Sequence, residues 1–102
     1  MAERLGICVS TRDKFHHVIG IAKAAHAQNK KVEIFFTGEG VHCTQADNFA
    51  QILQVAKVAI CEVSYIANEY KGIELTGLGD KDFMTQARHA EMVDECDSYI
   101  IF

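Results

Sequence analysis

The stretch Lys31-Val32-Glu33-Ile34-Phe35-Phe36-Thr37 decides the fold. Four of its seven residues are Val, Ile or Phe, and it ends at the tight Gly38-Glu39-Gly40 turn. A short apolar run closed by glycine reads as a buried strand. Four more runs of the same kind follow from it outward: Arg4 to Ser10, Val58 to Cys61, Ile73 to Thr76 and Ser98 to Phe102. Helical spacing fills the gaps between them. Phe15, Val18, Ile19, Ala22 and Ala25 recur on one helical face, with Ser10 or Thr11 as cap and Asn29 at the end. Thr44 is the expected cap of a second helix with Phe49, Ile52 and Leu53 inward, and a third, short helix follows Ser64. A fourth, after Asp80 or Asp82, places Phe83, Ala87, Ala90 and Val93 on its inner stripe.

Strand and helix therefore alternate from end to end. Parallel neighbours need crossover connections, so the alternation predicts a three-layer α/β fold with a doubly wound, five-stranded parallel sheet of flavodoxin-like type. The 102 residues suit one domain, 1–102. A chain of this size buries about 60–70% of its unfolded surface, enough for a core without disulfide or metal staples. Apolar residues make up 49% and charged residues 24%, which argues against disorder. Ten basic against fourteen acidic side chains argue against a nucleic-acid binder and against a polybasic membrane-surface protein. No apolar stretch approaches a membrane span, and Met1 to Ser10 carries Glu3 and Arg4 where a signal peptide would be apolar. The expected location is cytoplasmic, with Cys8, Cys43, Cys61 and Cys96 reduced.

In open α/β sheets, ligands and reactive groups gather outside the carboxyl ends of the strands. Four segments belong there: Ser10 to Asp13, Thr37 to Cys43, Cys61 to Ser64, and Thr76 to Asp80. Cys61 is the first candidate, because it ends a strand and begins a helix, where partial positive charge favours thiolate. Thiolate is the nucleophile in exchange and sulfur transfer. A buried structural thiol is the bland alternative. Cys43 is the second candidate, as a resolving or relay thiol or simply a small helix-start residue. His42 beside it could stabilise a thiolate or donate a proton. Cys8 reads as core and Cys96 as structural, on the wrong edge of the sheet. His26 and His89 read as solvated helix residues. His16, His17, His42 and Cys43 could converge on a metal, but no metal-binding spacing is present and no cofactor is expected. A receiver domain would want an acid where Cys61 stands. A flavodoxin would want glycines in Ser10-Thr11-Arg12-Asp13-Lys14. The acid inside Gly38-Glu39-Gly40 would repel phosphate.

Four stretches together resemble the DsrE/DsrF-like family of small sulfur-relay proteins, and within it the TusD/DsrE branch. Ile34 to Val41 is similar to the family's second strand and its "(D/E)GV" turn. Ile60-Cys61 is similar to the strand that ends in the sulfur-accepting cysteine. Glu74 to Gly79 and Glu95 to Phe102 resemble the "SGLG" segment and the "CD" plus closing strand. The helix after Cys61 reads Tyr65-Ile66-Ala67-Asn68-Glu69-Tyr70, without the arginines of the TusD branch. The resemblance implies a DsrE-like fold and a persulfide on Cys61. It implies sulfur exchange with TusA-like and DsrC/TusE-like partner proteins. It also implies a homo-oligomer (trimer or hexamer) or a hetero-oligomer with related subunits. Tyr65 and Tyr70 are the aromatic residues expected at such an interface. Two other readings stand beside it: a non-catalytic oligomeric binding module, and a thiol redox sensor pairing Cys43 with Cys61.

Overall fold

Side-chain parity along the strands divides the core in two. In the computed structural model, which describes residues 3–102, the elements are β1 (Arg4–Val9), α1 (Phe15–Ala27), β2 (Lys31–Phe36), a 3-10 segment (Gly38–Gln45) and α2 (Phe49–Leu53). Then come β3 (Lys57–Cys61), α3 (Glu62–Ala67), a 3-10 turn (Asp80–Asp82), β4 (Phe83–Met84), α4 (Gln86–Glu95) and β5 (Ser98–Ile101). All strand pairs are parallel and their order is β4-β3-β2-β1-β5. The chain steps three times in one direction across the sheet, then jumps back past β1. Right-handed crossovers therefore put α1, α2 and α3 on one face and α4 alone on the other. Ile7, Val9, Ile34, Phe36, Val58 and Ile60 pack under the first three helices. Their alternates Cys8, Phe35, Ala59 and Cys61 meet Met92 of α4. The three-layer parallel α/β architecture is the expected one.

Four local expectations are corrected. The run Ile73–Thr76 is not a strand: it is bracketed by Gly72 and Gly77, both at positive φ, and the Tyr65 hydroxyl donates to the Ile73 carbonyl at 2.8 Å. Phe83 and Met84 take the edge-strand place instead, pairing with Ile60 and Cys61, and Phe83 packs edge-on against Tyr65. Thr44 caps no helix; its hydroxyl donates back to the Val41 carbonyl at 2.7 Å inside the 3-10 segment, and α2 begins only at Phe49. Ser10 and Thr11 do not cap α1 either, whose N-cap position is Lys14; Asn29 does end it, at φ 63°. The inner stripe of α4 is not the apolar one. Thr85 caps this helix by accepting from the Ala87 N–H, and Met92 is buried while Ala87, Ala90 and Val93 face out.

Polar pairing explains that rotation. Glu33 is 7% exposed in the middle of an apolar strand, and it holds Arg88 of α4 at 2.9 Å and Arg4 at 3.1 Å. Arg88 also reaches Glu95 at 3.3 Å. His89, expected in solvent, is half-buried with Nδ1 2.6 Å from the Tyr99 hydroxyl. A buried carboxylate needs its cations close, so α4 turns its charged side toward the sheet. Tyr65 is likewise corrected: at 3% exposure it lies in the core, and Tyr70 is half-buried against it.

The end of α3 carries a testable strain. Tyr70 N–H donates to Tyr65 O and Glu69 N–H to Ile66 O, the paired closing bonds that require a left-handed residue after the cap. That residue is Glu69, at φ 67°, a conformation unfavourable for a side chain with Cβ. Glu69→Gly is expected to stabilise the protein by about 1 kcal/mol, a rise in melting temperature of roughly 5 °C. An unchanged or lower midpoint in thermal unfolding would contradict the assignment of strain.

Candidate functional site at the carboxyl end of β3

Cys61 closes β3 and occupies the N-cap position of α3. Parity points its side chain to the α4 face, where Phe35, Ala59 and Met92 form an apolar floor with Met84 beside them. The residue is 2% exposed. What covers the sulfur is polar and comes from three separate elements. Gln86, the first residue of α4 and itself exposed, donates its Nε2–H to Cys61 Sγ at 3.4 Å and to Thr37 Oγ1 at 2.7 Å. Thr37 stands at the end of β2, 3.4 Å from the Ser64 hydroxyl of α3. Ser64 Oγ accepts from the Gly38 N–H at 2.9 Å, which leaves its own proton free to turn toward Thr37 or toward the sulfur. Asn68 fastens this corner by donating to the Ser64 carbonyl at 2.8 Å.

This cage sets the ionisation of the thiol. Burial opposes the anion. The hydroxyl and amide of Ser64, the Gln86 amide and the Thr37 hydroxyl favour it and prevail, holding Cys61 below the ordinary value of 9.0. With six residues, α3 adds little macrodipole; discrete donors do what the sequence reading assigned to the helix end. The other three thiols move the opposite way. Burial pushes Cys43 up to about 11, aided by Asp13 and against a local backbone hydrogen bond. Burial also raises Cys8 and Cys96.

Cys43 and His42 lie elsewhere. Cys43 is 3% exposed in the core beneath α1 and α2, its sulfur 3.8 Å from the carbonyls of Thr11 and Arg12. Cys61 belongs to the cluster on the opposite face, so a bond between the two would have to cross the sheet. His42 Nδ1 meets the Tyr70 hydroxyl at 2.5 Å and Nε2 meets Glu39 at 2.8 Å; it has no bond to Cys61. All four cysteines are free. Among the described residues no three His, Cys, Asp or Glu side chains converge as a metal would require.

Thr37 and Ser64 lie within strand-end segments legible in the sequence, whereas Gln86 does not; its only signal is Thr85, a helix cap directly after Phe83-Met84, which makes Gln86 a strand-end residue once β4 is placed there.

Fold and site together define a parallel α/β protein with one hydrogen-bonded, acid-shifted thiol at the carboxyl edge of its sheet. No protein-family model matches the chain, and no curated protein matches it. Among the described residues no helix is long and apolar enough to cross a membrane.

Proposed function

We propose that the chain is a sulfur-relay protein of DsrE-like type that carries sulfane sulfur as a persulfide on Cys61. The observation that carries the reading is the contrast among four thiols: Cys61, at the carboxyl edge, is the one whose ionisation is eased, by hydroxyl and amide donors around it. Loading is an exchange without net oxidation. Cys61 thiolate attacks the outer sulfur of a donor persulfide, the new S–S bond forms on Cys61, the donor S–S bond breaks, and the donor leaves as thiolate. Delivery is the same step with an acceptor thiolate as nucleophile, which returns Cys61 to thiolate. The donors of Ser64, Thr37 and Gln86 stabilise the anionic sulfur before and after each transfer. The reading includes TusA-like donors, DsrC/TusE-like acceptors, a reducing cytoplasmic compartment and an oligomeric assembly. Exposed apolar side chains that an assembly would cover are Val63, Ile66, Val93 and Ile101.

The test is intact mass after brief treatment with polysulfide. One added sulfur, ~32 Da, is expected on the wild-type chain, and none on Cys61→Ser. Cys8→Ser, Cys43→Ser and Cys96→Ser are expected to keep the addition. Sulfur retained by Cys61→Ser would overturn the assignment.

A further inference from the structure

The amino-terminal edge of the sheet, opposite Cys61, holds a second feature. A cleft of about 710 Å³ opens there between the starts of β1, β2 and β3 and the turn that follows α2. Four cations line it, Arg4, Lys30, Lys31 and Lys57, against one carboxylate, Glu33. They are four of only ten basic residues in a chain of net charge −4. Glu33 is already committed to Arg4 and Arg88. Lys30 has Glu3 at 3.3 Å, whereas among the described residues neither Lys31 nor Lys57 is in an ion pair. The strand register sets Arg4 directly beside Lys31; Arg4 is neutralised by Glu33 and by Glu95 at 3.6 Å, which leaves Lys31 and Lys57 as the cations of the cleft open to an anion. Between the charges the wall is apolar, with Leu53 and Val55 half-buried.

The geometry points to this cleft as a binding site for a phosphate-bearing small molecule of mononucleotide size. Several ammonium groups around one concavity suit a multiply charged anion, and lysine meets phosphate oxygens as a point charge. The apolar wall suits a ring or chain attached to it. The volume lies in the usual range for small-molecule sites. Nothing in this site depends on sulfur chemistry at Cys61.

The experiment is amide NMR titration of the full chain with ADP, with AMP and with inorganic pyrophosphate. ADP is expected to move the amides of residues 29–33 and 53–57, and to do so equally in Cys61→Ser. Lys31→Glu combined with Lys57→Glu is expected to weaken ADP roughly tenfold or more. Both lysines are exposed, so the core is untouched by their replacement. If that variant loses spectral dispersion, Lys31→Gln with Lys57→Gln supplies the comparison, with a smaller loss expected. No shifts up to about 10 mM ADP, shifts elsewhere, or undiminished binding by the lysine variants would overturn the site. Pyrophosphate binding as tightly as ADP would overturn the apolar-body requirement.

Discussion

Truncating Gln86 to alanine is expected to raise the limiting rate at which iodoacetamide alkylates Cys61, by up to about tenfold, and to move the midpoint of its rate–pH curve upward. The carboxamide does two things at once. Its hydrogen bond to Thr37 holds it over a sulfur that is 2% exposed with the carboxamide in place. A hydrogen bond of that kind contributes about 0.5–1.5 kcal/mol net, and about 1.4 kcal/mol is a factor of ten in the uncovered population. The same N–H group also favours the anion. The sign follows: burial alone lifts the thiol, the polar donors bring it below 9.0, and losing one donor shifts the midpoint back toward alkaline pH. Near neutrality the two effects oppose each other; on the alkaline plateau only the uncovering remains. Peptide mapping after alkylation across pH separates them and reads Cys43 as an internal control. Gln86→Leu should keep the cover while losing the donor, with a raised midpoint and no raised plateau. A plateau unchanged in Gln86→Ala, or one that rises equally at Cys43, would show that Gln86 does not govern access.

Gly40→Ala is expected to cost about 3 kcal/mol or more, a large share of the roughly 5–15 kcal/mol that stabilises a domain. A Cβ on Gly40 would lie 1.9 Å from the Val9 carbonyl oxygen and 2.6 Å from its carbon. That obstacle is backbone, so no side-chain rotation relieves it. The segment Gly38–Gln45 would have to lift from β1, taking the buried Val41, Cys43 and Thr44 with it. The damage should reach the thiol as well, since Thr37 donates its N–H to that same Val9 carbonyl and Gly38 feeds Ser64. Gly20→Ala is the control. On α1, a Cβ there meets nothing within 4 Å, and alanine should be neutral or stabilising by up to about 1 kcal/mol. Chemical unfolding of both variants decides it; near-wild-type stability for Gly40→Ala would mean that the close approach is relieved at little cost.

The parts of the fold legible in sequence are those where apolar spacing and burial agree. β1, β2 and β3 are short, apolar and largely buried, β5 is short and apolar with Tyr99 and Ile100 half-buried, and α1 carries a clean inner stripe ending at Asn29. Legibility fails where polar groups rather than apolar ones decide. Nothing in the spacing of α4 indicates that Arg88 and His89 turn inward, because Arg88 answers to Glu33, more than fifty residues away, and His89 to Tyr99 on the next strand. The same holds at the thiol. Cys61 was legible from its place at a strand end. Its cage was not, since Thr37, Ser64 and Gln86 meet only when β2, α3 and α4 are packed. With the fourth strand at Phe83–Met84 rather than Ile73–Thr76, the residue that follows it at the sheet edge is Gln86 and not the Thr76–Asp80 segment.

The fourth strand pairs with only the last two residues of β3, Ile60 and Cys61. The outer margin of β3 from Lys57 to Ala59 is therefore left without a strand neighbour, and unpaired margins of this kind invite intermolecular stacking into fibrils. Lys57 stands at its open end with an exposed ammonium group, the sort of charge that deters such templating. Strand brevity and a single lysine thus guard this margin against templated stacking.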